Sequence, residues 1–172
     1  MNIYGKNMKQ VILLVLFLIS VPLAASQVTG QDSGKTLQSS FPGWFDSAPF
    51  SSLEADLARA RQEGKQGVMV LFSTAECSYC SEFIKKTLHD PKISAVVKKN
   101  FHSVGMEIFK NASMITGTDG KVLYTNEFAR KESAGYSPTI AFYGKDGKRI
   151  VRLVGYQSPE RFRKVLNEIT SN

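Results

Sequence analysis

The sequence predicts an α/β domain in which helices cover both faces of a central mixed sheet. Its segments follow the order β-α-β, hairpin, α, β-β-α, which is typical of such layered folds. The run at 67–72 is continuously apolar, as a strand buried on both faces should be. With 172 residues, 42% of them hydrophobic, the chain can bury one such core and is too apolar to be disordered throughout.

Residues 1–26 have the pattern of an export signal. Lys6 and Lys9 precede an uncharged run at 11–25, and the small residues at 24–26 suit cleavage before Gln27. The run is shorter than the roughly 18–20 residues that a membrane-spanning helix needs. We therefore expect a periplasmic or secreted protein, in an oxidising compartment where cysteines can pair. An uncleaved membrane anchor is the alternative.

Residues 27–50 connect this leader to the folded domain at 51–172. The stretch 27–40 is rich in Ser, Gln and Gly and is predicted to be a polar tether. The aromatic residues that follow it are expected to form an N-terminal collar packed on the core: Phe41, Trp44, Phe45 and Phe50.

Each element of the domain has its own local signal. Residues 51–54 resemble a capping box and open a helix that ends at Gly64. After the strand at 67–72, a helix is expected from the cysteine pair to Leu88, before Asp90-Pro91 opens a second helical stretch at 93–99. The same patterns predict a strand at 101–109, a hairpin with arms at 113–116 and 121–124, a helix at 126–134, strands at 139–143 and 149–154, and a last helix opened by Ser158-Pro159.

Cys77 and Cys80 are the only cysteines in the chain, and three interpretations compete for them. As a structural disulfide the pair closes a four-residue loop, which stabilises a fold by only about 2 kcal/mol, against about 4.7 kcal/mol for a hundred-residue loop. As a metal site it needs further ligands, and neither His89 nor His102 has the spacing of a zinc finger. Thiol–disulfide exchange is the interpretation that the spacing favours.

The methionines and histidines leave one alternative open. A copper(I) site that adds Met106 or Met114 to the cysteines is compatible with the sequence. Otherwise both methionines are expected in the core. We interpret His89 as a helix-end residue and His102 as a structural or exposed residue at the start of a strand.

The cysteine pair lies between a strand and a helix, and this position favours thiol–disulfide exchange. It places Cys77 at or near a helix amino terminus, where free N–H groups and the helix dipole favour a thiolate. Cys80 lies three residues on, on the same helix face, and can resolve a mixed disulfide. We therefore expect Cys77 to be the attacking thiol and Cys80 the resolving thiol.

The segment Val68 to Cys80, followed downstream by Ser137-Pro138-Thr139, resembles the thioredoxin superfamily. Within it, the chain is similar to exported bacterial thioredoxin-like proteins, including those of sulfur oxidation and cytochrome c maturation. The resemblance covers roughly 51–169 and implies a thioredoxin fold with an inserted hairpin before the proline strand. It also implies that Pro138 is a cis proline facing the cysteines and that Ser137 contacts substrate backbone.

The chain departs from cytosolic thioredoxins around the cysteines. Glu76, Ser78 and Tyr79 replace the tryptophan, glycine and proline of Trp-Cys-Gly-Pro-Cys. The buried aspartate that assists proton transfer in those proteins falls on Leu71, so deprotonation of Cys80 needs water or another base. Glu76 is the candidate by proximity, and the favoured alternative is that it is a solvated carboxylate without a role in proton transfer. We expect Glu76 and Ser78 to tune the redox couple and Tyr79 to contact partner proteins.

The resemblance implies an exported, monomeric thiol–disulfide oxidoreductase that needs no metal or organic cofactor. Its family is usually kept reduced by an integral-membrane electron carrier, so reduction of partner-protein disulfides is the expected direction. The alternatives are an oxidant that donates disulfides and a binding module, a chaperone or copper carrier, whose cysteines do not turn over. The net charge of +7 is scattered along the chain, so no nucleic-acid partner is expected. The insertion at 105–135 is either a partner-specificity element or a neutral hairpin.

Overall fold

The computed structural model describes residues 41–46, 52–108, 114–117 and 119–171. The predicted export signal, the tether and Phe50 of the collar lie outside these residues. In the part of the chain that is described, no helix is long and apolar enough to cross a membrane.

The described chain contains five helices and six strands in the predicted order. The helices are α1 (Leu53–Gln62), α2 (Ser78–Phe83, continued by a π-helical turn at Ile84–Leu88), α3 (Pro91–Asn100), α4 (Thr125–Lys131) and α5 (Pro159–Thr170). The strands are β1 (Gly67–Ser73), β2 (Phe101–Glu107), β3 (Met114–Thr116), β4 (Val122–Tyr124), β5 (Thr139–Gly144) and β6 (Arg149–Val154).

The main sheet has four strands in the order β2-β1-β5-β6. Strand β2 runs parallel to β1, while β5 is antiparallel to both β1 and β6. Every residue of β1 is buried, which agrees with its unbroken apolar sequence. The mixed sheet predicted from the element order is therefore confirmed.

Two hydrophobic clusters lie on opposite faces of this sheet. Helices α1 and α4 cover one face, where Leu57 and Phe128 pack with Phe72. Helices α2, α3 and α5 cover the other, where the Phe83 and Phe162 rings meet edge to face with centroids 5.2 Å apart. Because residues of a strand alternate in direction, β1 sends side chains to both clusters.

The edge of β2 is covered by the collar segment 41–46. The Asp46 N–H donates to the Ser103 carbonyl at 2.8 Å, and the ring of Phe41 lies directly against Gly105. A Cβ on Gly105 would come 2.5 Å from that ring, so the glycine makes room for the collar. Phe45 and Trp44 pack into the same face of the core, as expected of the collar.

Two details differ from the sequence prediction. The helix that follows the cysteines widens after Phe83, and the His89 N–H reaches back five residues to the Ile84 carbonyl at 3.0 Å, which is π-helical geometry. Met114, expected in the core, is 59% exposed because the β3–β4 hairpin is a separate two-stranded sheet with a solvent-facing side. The hairpin itself is confirmed.

Candidate active site

The two cysteines form a disulfide at the start of α2, next to the end of β1. Their Cα atoms lie 5.1 Å apart. Cys77 is the N-cap residue of α2, and the Cys80 N–H donates to its sulfur at 3.0 Å. An N–H group of a helix's first turn therefore points at the sulfur that the sequence predicts to be the nucleophile, which favours the thiolate once the disulfide opens.

The two sulfurs differ in access. Cys80 is 3% exposed and belongs to the buried side of α2, while Cys77 is only half-buried. Cys77 is therefore the more accessible of the two cysteines.

A second loop, carrying Ser137 and Pro138, lies against the cysteine loop. The Ser137–Pro138 peptide bond is cis, as the resemblance to thioredoxins implied. The hydroxyl oxygens of Thr74 and Ser137 are 3.0 Å apart and share a hydrogen bond. Thr139 pairs with Phe72 in the antiparallel register of β5 and β1, so the sheet itself brings the two loops together.

The surface around the disulfide is aromatic and largely exposed. Tyr79 is 62% exposed and Tyr136 is 79% exposed. Glu76 and Ser78 are also exposed, so the Glu76 carboxylate is solvated in the oxidised protein. Tyr136 was not singled out from the sequence, although its position directly before Ser137-Pro138 was a usable signal.

The sheet beneath the cysteines is apolar where thioredoxins carry an aspartate. Leu71 is fully buried and pairs in register with Gly105. One carboxylate oxygen nearby has no hydrogen-bond partner among the described residues: Oε2 of Glu107, opposite Ser73 in the register of β1 and β2. Glu107 was not singled out from the sequence, although strand alternation places it on the same sheet face as Leu71.

The methionines do not join the cysteines. Met106 is buried in the cluster beneath α1 and α4, on the face opposite α2. Met114 lies on the separate hairpin. The geometry of the described residues therefore gives no support to a copper(I) site built from these methionines and the cysteine pair.

Comparison with known proteins agrees with this geometry. A family model described as a thioredoxin-like domain matches residues 53–170. No curated protein matches the chain.

Solved structures of thioredoxin-fold proteins are similar to this chain. A thioredoxin-fold protein from Helicobacter pylori shares 23% identity over 78% of this chain and 83% of its own, with a TM-score of 0.61. A putative disulphide-isomerase from Bacteroides thetaiotaomicron shares 25% identity over 74% and 98%, with a TM-score of 0.54. The reduced C-terminal domain of Neisseria meningitidis DsbD shares 16% identity over 67% and 92%, with a TM-score of 0.51. The chain thus belongs to the thioredoxin-like domain family, and its Cys77–Cys80 disulfide is the CxxC motif of a thiol–disulfide oxidoreductase.

Proposed function

We propose that this protein is an exported oxidoreductase that reduces disulfides in partner proteins through the Cys77–Cys80 dithiol. The observation that supports this most directly is the difference between the two sulfurs. A partly exposed cysteine at a helix cap is suited to attack, and a buried cysteine three residues on is suited to resolution.

The reaction begins with the dithiol form. The Cys77 thiolate attacks one sulfur of the partner's disulfide, and the other partner sulfur leaves as a thiolate that takes up a proton. Cys80 then loses its proton and attacks the Cys77 sulfur, which re-forms the Cys77–Cys80 disulfide and releases the second partner thiolate. Two electrons pass to the partner, so a dithiol donor must reduce the protein for the next cycle.

The neighbouring loop supplies the surface for the partner. Ser137 and Pro138 are proposed to receive partner backbone beside Cys77, because the bond between Thr74 and Ser137 fixes their loop against the cysteine loop. Tyr79, more than half exposed, is proposed as an apolar contact for the partner. Glu76 and Ser78 are proposed to influence the reduction potential of the Cys77–Cys80 pair, since both are exposed next to the reacting cysteines.

The proposed export is based on the leader, and the proposed direction of electron transfer is based on the family. The leader at 1–26 has the pattern of an export signal, and an integral-membrane thiol carrier is the proposed electron donor. Reduction is proposed as the direction because the exported proteins that the chain resembles are usually kept reduced.

Reduction of a disulfide-bonded test protein by dithiothreitol measures turnover. We expect Cys77→Ser to abolish catalysis, whereas Cys80→Ser should accumulate the mixed disulfide through Cys77. Ser81→Ala, which changes an exposed serine directly after the pair, is the matched control and should still turn over. A Cys77→Ser protein that retains the biological activity of the wild type would instead favour a binding module.

The reduction potential decides the direction. Equilibration of the protein with glutathione buffers should give a value near that of thioredoxin, about −270 mV, if it is a reductant. A value near −120 mV would make it a disulfide donor.

A further inference from the structure

A second cluster of ionisable side chains lies at the other end of the parallel strands from the cysteines. His102, near the start of β2, is buried, and three carboxylates surround its ring. Its Nε2 atom lies 3.2 Å from Asp46 Oδ2 and 3.6 Å from Asp56 Oδ1, and its Nδ1 atom lies 3.4 Å from Glu63 Oε2. The collar segment, α1 and β2 each contribute to this cluster.

Two buried atoms of the cluster are unsatisfied. Neither His102 Nε2 nor Asp56 Oδ2 has a hydrogen-bond partner among the described residues, and the His102 side chain is only 7% exposed. The other two carboxylates have cationic neighbours, because Arg59 contacts Asp46 and Lys65 lies 2.7 Å from Glu63. Buried polar atoms without partners are costly, so the cluster is a candidate site for a bound ligand.

A single hydrogen on His102 Nε2 cannot serve both flanking carboxylates. It can bond only one of the two nearest oxygens, Asp46 Oδ2 or Asp56 Oδ1, at a time. A metal ion between the three groups accepts electron pairs from the ring nitrogen and from both carboxylates at once.

The spacing of the ligand atoms fits such an ion. Two ligands each roughly 2.0–2.1 Å from zinc, at the tetrahedral angle, lie about 3.3 Å apart. The two distances from Nε2, 3.2 and 3.6 Å, lie on either side of this value, and all three ligand atoms lie within 4.8 Å of one another. One nitrogen and two oxygens are a ligand set that zinc accepts.

The surroundings supply the remaining features of a metal site. Glu63 faces the other ring nitrogen, as a carboxylate commonly does behind a metal-binding histidine. Lys65 Nζ lies 2.7 Å from Glu63 Oε2 and neutralises the carboxylate that faces Nδ1. A cavity of about 320 Å³, lined by Asp46, Glu63 and His102 but not by Asp56, opens beside the cluster and has room for a water as fourth ligand.

We propose that Asp46, Asp56 and His102 bind a divalent transition-metal ion, with zinc as the best match, and that Glu63 orients the histidine. The ion joins the collar segment to α1 and β2, and Arg59 gives up its contact with Asp46 on binding. In the parallel register His102 pairs with Val68, five residues before Ser73, so the site lies roughly 16 Å along the strands from the end that leads to the cysteines. It is therefore a stabilising site, independent of the proposed redox function.

Zinc titration of the chelator-treated full chain tests the proposal, with the Cys77–Cys80 disulfide kept oxidised so that no thiolate can bind. We expect one zinc per chain by calorimetry and a higher unfolding temperature when zinc is present. His102→Gln and Asp56→Asn should each lose binding, and Glu63→Gln should weaken it about 10–100-fold. His89→Gln, which replaces the other histidine, an exposed one, is the matched control and should bind as the wild type does.

Circular dichroism separates loss of binding from loss of folding. If His102→Gln is unfolded, Asp46→Asn, on the peripheral collar, provides the test instead. Absence of zinc binding by the oxidised wild type, or equal binding by wild type and folded variants, would overturn the proposal. Neither result would bear on disulfide exchange, which the cysteine variants test separately.

Discussion

The reactivity of individual residues depends here on small differences in environment. Cys77 caps α2 and is partly exposed, whereas Cys80, three residues away, is buried. A hydrogen bond also links Thr74 to Ser137 across the two loops.

Thr74→Val should weaken partner binding. The substitution keeps the side-chain shape but removes the hydrogen bond to Ser137, which is worth about 0.5–1.5 kcal/mol. We expect KM for a disulfide-bonded protein substrate to rise by up to about tenfold, with the reduction potential nearly unchanged. Thr170→Val, which removes a comparable hydroxyl from the last turn of α5, should leave KM unaltered. Equal KM values for the two variants would show that the link does not position the loop.

Tyr143 should ionise only well above the pH at which ordinary tyrosines do. Burial, reinforced by the charge of Glu132, raises the pKa of Tyr143, whose hydroxyl donates to the Glu132 carboxylate at 2.7 Å. Ultraviolet titration of the folded protein should therefore show one tyrosine that remains protonated well above pH 10. Tyr143→Phe should remove that late phase.

The raised pKa of Tyr143 also implies that the stability of the fold depends on pH. The folded state retains the Tyr143 proton while the unfolded chain loses it above about pH 10, so the contribution of this group is fully present below that pH. The free energy of unfolding should fall as pH rises further, and more steeply for wild type than for Tyr143→Phe. Identical slopes in urea titrations would contradict this.

At the level of elements, helix caps determine where the chain turns between the sheet and its covering layers. Asp90 is the N-cap of α3, and its Oδ1 atom accepts from the N–H groups of Lys92 and Ile93 at 2.8 and 3.1 Å. Asp90→Ala should lower the free energy of unfolding by about 1 kcal/mol, measured by urea denaturation. Asp90→Ser retains a capping oxygen and should recover most of this loss; a Ser variant as unstable as Ala would refute the capping role.

The pairing of β1 with β5 depends on a glycine. A Cβ on Gly67 would lie 1.8 Å from the carbonyl oxygen of Tyr143, a backbone atom that cannot rotate away. Gly67→Ala should therefore force the strands apart and cost about 3 kcal/mol or more in urea denaturation. Gly135→Ala meets no atom within 4 Å and is the matched control, expected to change stability by much less.

For the whole molecule, the redox state and the stability of the fold are thermodynamically linked. In a protein that acts as a reductant, folding stabilises the disulfide form more than the dithiol form. The oxidised protein should therefore unfold at a higher urea concentration than the reduced protein. The chain-entropy contribution of the four-residue loop sets the scale at about 2 kcal/mol. Paired denaturation curves of the two forms provide the test. A more stable dithiol form, which is the property of a strong oxidant, would reverse the proposed direction.

Much of the fold could be predicted because its signals are local. The apolar run of β1, the Asp90-Pro91 interruption and the Asp119-Gly120 turn each determine an element within a few residues. The widening of α2 into a π-helical turn and the exposure of Met114 could not be predicted, since both depend on packing against distant segments.

The sequence by itself determined the cysteine pair, its place between a buried strand and a helix, and the serine and proline of the second loop. These follow from residue type and short-range order. The cis bond was expected from family resemblance alone, because the local preference for cis before proline is weak.

Only the tertiary structure decided which distant side chains meet. It buried Cys80 and left Cys77 accessible, and it joined Thr74 to Ser137. It also gathered Asp46, Asp56 and His102, which the sequence separates by up to 56 positions, around one point. A sequence pattern does not determine the distance between residues on different helices or strands, because strand order and helix packing set those distances.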